Sequence, residues 1–571
     1  LRPLALDAWL RLVHHGARVS SAQTRGASAG GRMTATPDLI AQLVVFGLNN
    51  GAAIALAAMG ITLVFSVVRI LNLAYGDVFA LATVMAAVII VELDIRPDSP
   101  PALFFGGLAL SALGAMAVAV GLNLLLERFA FRPFRGTSRL APLIATMGLS
   151  FVLYQVSLLW RQILPSWVAG DHRSVPGLPE VPLDSTPDLI PARNLFERLG
   201  MLDAPVVIEE KGIAMWVVAI VIGLLVAVLL KLTRFGVELR AVAEQPDVAQ
   251  MFGVDVNRTI ARTFALSGLL AGIAAFAFVM NYARPYGQHG VQSGLIAFSA
   301  AILGGIGNPV GAVVSGFLFG VAQTFSDFFL AQTWTPAIVY GLLILLLFVR
   351  PSGFGAEDDT DSWQGTRDAV TVLYRGSRHL WTRWVWLGVF LYAALYPLTE
   401  PLFGLSRQST LTVVFIYVIL ALGLTIMLGY AGLLDLGYAI SFGIGGYVAA
   451  LLTDPYGRLR GALGITGTVD FTLVLLAAVG MAALFGVLNA VLTFRMRADY
   501  LAVVTLAYGL IIRQIVIIFP EYTNGSQGIS AVPPPNVFGI ALASPTARYY
   551  LALLLLAVCA IAAQRLIQSR A

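Results

Sequence analysis

Read only for apolar and polar positions, the chain alternates long hydrophobic runs with short charged breaks. It is apolar from Leu39 to Val68, interrupted by Arg69-Ile70-Leu71-Asn72-Leu73-Ala74-Tyr75-Gly76-Asp77, and apolar again to Val91. Further runs cover 102–126, 141–164, 213–230 and 260–282. A glycine-broken region at 294–349 has the length of three short spans, or of two with a re-entrant piece. Beyond a charged linker come runs at 384–403, 411–430, 433–453, 471–494, 500–519 and 549–567. A bilayer core is crossed by roughly 20 apolar helical residues, so this pattern predicts about 15 crossings. The fold class expected is all-α: a polytopic transmembrane helical bundle.

One polar island, Arg234 to Val254, stands between two membrane-length runs. Pro246 suits the first position of a short helix, where its missing N–H is not needed. Asp247 favours the positive end of that helix, and Gly253 can take a left-handed closing turn. The spacing therefore predicts a two-turn surface helix carrying Val248, Met251 and Phe252 on one side. A solvated cytoplasmic loop would show similar spacing.

Composition settles the class. With 571 residues, 58% hydrophobic and 12% charged, and a mean hydropathy of +0.83, the chain carries more apolar surface than a soluble core can bury. The net charge of +5 does not point to nucleic acid, because the arginines sit at the ends of apolar runs, where they act as topology signals. Arg128, Arg132, Arg135 and Arg139 share a predicted side with the 231–262 loop, Arg350, Arg495, Arg497 and Arg565. The acidic stretch 165–212 falls on the opposite, outer face. The sole cysteine, Cys559, lies in an apolar run, which excludes a disulfide framework. The five histidines show no metal-site spacing, and His289, in ARPYGQHG, reads as a loop residue. No metal or other cofactor is implied.

The chain also repeats itself at an offset of 363 residues. Ala58, Gly60, Thr62, Leu73, Tyr75, Phe79, Ala86 and Ala87 recur as Ala421, Gly423, Thr425, Leu436, Tyr438, Phe442, Ala449 and Ala450. Gly, Thr, Tyr and Phe keeping register together predicts two related halves in tandem, each interrupted by one polar break. A carboxylate near the bilayer centre costs roughly 2.5–3.5 kcal/mol on insertion scales. Asp77 and Asp435 should therefore face water, a partner or the space between the halves. Broken helices expose N–H and C=O groups suited to a zwitterionic or amide solute. Asn72, Tyr75, Gly76, Asp77, Asp435 and Tyr438 are the candidate substrate path. Ordinary loops at the inner membrane face are the alternative.

These stretches resemble known families. The segment RAVAEQPDVAQMFGVDVNR resembles the coupling loop of LivH-type branched-chain amino acid permeases, the element that plugs into a cytoplasmic ATPase. GLNNGAAIALAAMGITLVFSVVRILNLAYGD (47–77), ERFAFRPFRGTSRLAPLIATMGLS (127–150) and AAILGGIGNPVGAVVSGFLFGVAQ (300–323) are similar to the same type. ALGLTIMLGYAGLLDLGYAISFGIGGYVAALL (421–452), RADYLAVVTLAYGLIIRQI (497–515) and NGSQGIS (524–530) resemble the LivM type. The chain thus looks like a LivH–LivM fusion, and departs from both families in carrying Tyr75 and Tyr438 where histidine is usual.

The resemblance implies a permease of an ABC importer for branched-chain or other small amino acids, in a bacterial inner membrane. It would work with two ABC ATPase subunits and a periplasmic solute-binding protein. Arg240, Glu244, Asp247, Ala249 and Gly253 are then the ATPase coupling residues. Related permeases carry urea or short-chain amides, and an ion-coupled secondary transporter would also use repeats and broken helices. Neither of the two lysines, Lys211 and Lys231, stands in G-x-x-x-x-G-K-[ST], so ATP hydrolysis is expected on partner subunits.

The expected organisation is an extension at 1–32 outside the working protein, a LivH-like domain at 33–350, a charged linker at 351–383 and a LivM-like domain at 384–571. The repeat leads one to expect the second domain to continue past Ala571 into a second coupling loop.

Overall fold

The computed structural model describes residues 36–70, 72–134, 140–163, 189, 194–198, 206–281, 289–305, 307–330, 334–349, 380–400, 407–430, 435–462, 464, 467, 469–493, 498–530 and 532–568. The extension at 1–32, nearly all of the linker at 351–383 and most of the acidic 165–212 stretch lie outside these residues. Every apolar run becomes a helix. In the first half these are α1 (Pro37–Val68), α2 (Tyr75–Glu92), α3 (Pro101–Leu126), α4 (Leu140–Ile163) and α5 (Glu210–Leu232). The polar island forms α6 (Arg234–Glu244) and α7 (Pro246–Met251). There follow α8 (Val256–Asn281), α9 (Gly290–Leu303), α10 (Pro309–Phe329) and α11 (Thr335–Val349). The second half holds α12 (Leu380–Thr399), α13 (Gln408–Thr425), α14 (Tyr438–Thr453), α15 (Phe471–Thr493), α16 (Ala498–Ile518) and α17 (Pro545–Gln568). A small hairpin, β1 (Asn536–Val537) and β2 (Ile540–Ala541), precedes α17.

Among the described residues, nine helices are long and apolar enough to cross a membrane, or ten if α16 and the 83° bend after it count as one span. The expectation of about fifteen crossings is corrected to that count for the described residues, in which α4 and α12 enter only as the apolar stretches Ala141–Ser157 and Gly388–Thr399. The helices are all present, but α9, α11 and α14 have only 14, 15 and 16 residues. At 1.5 Å per residue these rise about 21–24 Å, short of a bilayer core.

Helix α1 is the axis of the first half. Thr36 caps its start by accepting the Leu39 N–H at 3.4 Å, Pro37 takes the first turn, and Arg69 ends it in a left-handed conformation at φ 51°. Its middle is buried on all sides, against α5, α8, α9 and α10. The contact with α10 is antiparallel and runs along glycines: Gly47 meets Val321, Gly51 meets Phe317, and Gly316 meets Ala55. Small residues let helix backbones approach where lipid offers no hydrophobic drive to associate.

Two contacts set the levels along α1. At one end Asn50 donates to Thr324 (3.1 Å) and accepts from Asn281 (3.4 Å). At the other, Val64 and Val67 join Phe131, Leu239, Val242, Ala249, Ile260 and Phe264 in a core beneath the polar island. The second half repeats the plan: α13 packs on α17 as α1 does on α5, and α14 on α15 as α2 does on α3. Helix α16 joins the halves by packing on α11, and Val504 and Ala507 belong to the same core as α1.

Candidate functional site

Two sites emerge, one at the membrane surface and one inside the bundle. At the surface, α6 is tied down by its apolar side: Leu239 and Val242 are buried, and Thr233 caps it by accepting the Gly236 N–H at 3.3 Å. Arg240 turns back to donate to the Leu230 carbonyl at the end of α5. Glu238 pairs with Arg262 of α8 at 3.8 Å. Helix α7 starts at Pro246 and closes at Gly253, whose φ is 84°. Ala249 faces the bundle and is buried, whereas Glu244 and Asp247 are exposed. Met251 and Phe252 are 86% and 84% exposed, at the end of an otherwise anchored element. Of the predicted coupling residues, Arg240 and Ala249 thus fix the element, Gly253 shapes it, and Glu244 and Asp247 stay exposed.

The first break, between α1 and α2, leads from the exposed Arg69 into the bundle. Ala74, Tyr75, Gly76 and Asp77 are all buried. The Tyr75 hydroxyl reaches back across α1 to Gly60, beside Ser267 of α8, which donates to the Gly60 carbonyl at 2.8 Å. Gly60 stands ten residues below Asn50, about 15 Å along the helix, so the break folds back into the bundle. Asp77 lies in the first turn of α2 and accepts the hydroxyl proton of Ser150 on α4.

The start of α9 closes over this break. Gly290 and Gly294 lie so near Gly76 that a methyl group on Gly294 would stand 2.6 Å from the Gly76 Cα. His289 secures the crossing. Thr83 gives its own proton to the Ala80 carbonyl (2.6 Å), so it accepts from His289 Nε2 (2.9 Å), and Ser293 donates to Nδ1 (3.1 Å). The ring stacks on Phe278 with centroids 4.8 Å apart and meets the edge of Phe79 at 5.4 Å. Reading His289 as a loop residue missed this role; its partners lie up to 206 residues away in sequence, and no local pattern announces them.

The break also holds polar atoms without partners. Both side-chain atoms of Asn72 and Oδ1 of Asp77 are buried and make no hydrogen bond. Each such group costs about 1–3 kcal/mol, and a cluster of them calls for a reason such as a ligand. Asp435 and Tyr438 form the matching break in the second half. There Asp435 Oδ1 accepts the Gly437 N–H (2.7 Å), and Thr505 accepts the Leu436 N–H (3.0 Å). The Tyr438 hydroxyl lies against Gly423. The structure thus gathers the six predicted path residues into two clusters, one per half.

A family model described as branched-chain amino acid transport system / permease component matches residues 43–348 and 406–571. The high-affinity branched-chain amino acid transport system permease protein BraD of Pseudomonas aeruginosa is 31% identical over 313 residues, covering 55% of this chain and 94% of that protein. LivH of Escherichia coli K12, which has the same description, is 28% identical over 316 residues, 54% of this chain and 92% of the relative. LivM of Escherichia coli K12 is 40% identical over 162 residues, 28% of this chain but only 35% of that protein. No solved structure matches.

Proposed function

This chain belongs to the branched-chain amino acid transport permease family, and from that premise we propose that it is the membrane-spanning permease of an importer for branched-chain or other small amino acids. It receives solute from an extracytoplasmic binding protein and passes it through an inner membrane. Two separate cytoplasmic ATPase subunits drive it, one of them seated on α6 and α7. As a permease component it is a transport subunit and not an enzyme.

The observation that carries this reading is the pair Met251 and Phe252, apolar and exposed at the tip of an element whose other side is buried at Ala249, Leu239 and Val242. An apolar tip on a rigid base at the membrane surface suits a cleft in a soluble partner. Glu244 and Asp247 add exposed charge beside it. Residues 33–350 and 384–571 act as the two halves, joined through 351–383, with the breaks at Asn72–Asp77 and Asp435–Tyr438 along the solute's route. Expressing the chain with ATPase subunits and binding protein, then measuring labelled leucine uptake and ATPase co-purification, tests this. Met251→Ser with Phe252→Ser should abolish both at normal membrane levels. Labelled urea carried in place of leucine would redirect the substrate assignment to amides.

A further inference from the structure

We propose that Asp77 is the group that takes the substrate's ammonium, and that Asp435, the acid in the break of the second half, makes no such contact. The proposal rests on the reading of the first break as part of the solute's route.

The repeat offset of 363 pairs Asn72 with Asp435, Tyr75 with Tyr438 and Asp77 with Ile440. The two carboxylates are therefore not equivalents, although each half has one. Asp435 is occupied: Oδ1 accepts a backbone N–H two residues on, and the next residue is bonded to Thr505 of α16. That is an anchored turn. Asp77 differs. Only Oδ2 is engaged, by Ser150, while Oδ1 is buried without a partner in a residue that is 2% exposed.

Two helix N-termini meet at this carboxylate. Asp77 stands in the first turn of α2, where unpaired N–H groups point outward, and the N-terminus of α9 comes up beside it. A methyl group on Gly290 would stand 2.9 Å from Asp77 Oδ1 and 2.8 Å from the Gly76 carbonyl. Only glycine at 290 and 294 lets α9 close this far. The structure is thus a covered state in which Oδ1 is sealed beneath α9, and a solute reaches it when α9 and α2 part.

The ligand chemistry follows from what stands there. A divalent metal ion wants several oxygen ligands, and among the described residues no group of three or more His, Cys, Asp or Glu is assembled. A single carboxylate with one free oxygen and a neighbouring hydroxyl matches one primary ammonium. In the second half the equivalent position is Ile440, which is buried, with its Cγ1 3.5 Å from where a Cβ on Gly509 would stand. At this position the second half therefore offers no charge.

The test uses this chain purified with its ATPase subunits and trapped after loading from the binding protein, with retained labelled leucine as readout. Excess isoamylamine, which has the ammonium but no carboxylate, should displace leucine, and 4-methylpentanoate, which has the carboxylate but no ammonium, should not. Asp77→Asn should lower retention about ten-fold or more, Asp77→Glu should restore part of it, and Asp94→Asn, at an exposed carboxylate beyond the end of α2, should retain leucine as the parent does. ATP hydrolysis stimulated by loaded binding protein reports that each variant is assembled. Leucine retention unchanged in Asp77→Asn, or competition by 4-methylpentanoate instead of the amine, overturns the proposal. Should Asp77→Asn not assemble, the amine competition on the parent protein decides alone. If Asn72→Ala and Tyr75→Phe impair uptake while Asp77→Asn does not, the break remains the route and only the ammonium assignment fails. If none of the three alters uptake, the route itself is misplaced.

Discussion

The Tyr75 hydroxyl occupies the space where a side chain on Gly60 would stand. The two residues are fifteen apart, one in α1 and the other opening α2, and the same relation joins Tyr438 to Gly423 in the second half. Both pairs keep the 363-residue offset, as do Thr62 and Thr425, whose hydroxyls bond the carbonyls of Ala58 (2.9 Å) and Ala421 (2.7 Å). The repeat is thus a repeat of contacts, in which a tyrosine returning from a polar break is received by a glycine on the preceding helix.

Gly60→Ala should destabilise the first half by about 1–3 kcal/mol, because the added methyl overlaps the hydroxyl and also approaches Tyr75 Cζ to 3.0 Å. Removing the oxygen with Tyr75→Phe should recover part of that loss. Thermal unfolding of the two single variants and the double variant in detergent gives the coupling, expected at about 0.5–3 kcal/mol. Additive effects would mean that the residues do not touch. Gly423→Ala with Tyr438→Phe should reproduce the pattern.

The glycine seam between α1 and α10 makes a second prediction. A Cβ on Gly51 would stand 2.7 Å from the Phe317 Cα, so the obstacle is backbone and cannot rotate away. Gly51→Leu should push the helices apart and cut the folded yield in membranes, whereas Gly106→Leu, with no atom near its added Cβ, should be tolerated. Membrane levels of the two variants side by side provide the check, and equal levels would count against the seam.

Periodicity and length were enough to locate every long helix, because a bilayer demands continuous apolar runs and each run is visible in the chain. Pro246 and Gly253 likewise marked both ends of α7. What escaped the sequence was made by distant partners. Ser150 meets Asp77 across 73 residues and His289 meets Thr83 across 206. Such pairs obey no local spacing, so His289 looked like a loop residue and Asp77 was read alongside Asp435 with the same expectation. The short α9, α11 and α14 were equally hard to tell from full spans, since composition reports apolarity and not depth.

Outside the membrane, Asp470 ties the start of α15 to the small hairpin, accepting the N–H of Thr472 (2.8 Å) and of Phe538 (2.7 Å). These donors, Thr472 first, hold its carboxyl below the usual carboxylate range. A depressed value contributes stability above the unfolded value of about 3.9, and that contribution is lost as pH falls through the lower folded value. Acidification from pH 7 to 5 should therefore leave the hairpin unchanged. Asp470→Ala should raise hydrogen exchange at the Phe538 amide throughout pH 5 to 7. Loosening between pH 7 and 5 in the parent protein would rule out this anchoring role.

The coupling element allows the sharpest separation of folding from function. Gly253 closes α7 at φ 84°, where a residue with a Cβ is strained, yet no atom stands within 4 Å of the Cβ position. Gly253→Val therefore meets no neighbour, and its cost, about 1–3 kcal/mol, is purely that of the backbone conformation. The chain can relieve it by reorienting the last turn of α7, which carries the exposed Met251 and Phe252. Insertion depends on the flanking α5 and α8, so the variant should reach the membrane at parental levels while leucine uptake and ATPase retention fall together. Gly253→Asn should keep more of both, because asparagine tolerates the left-handed region better. If Gly253→Val transports at the parental rate, the ATPase is not seated on α7; if it fails to reach the membrane while Gly253→Asn does, the turn serves assembly instead of coupling.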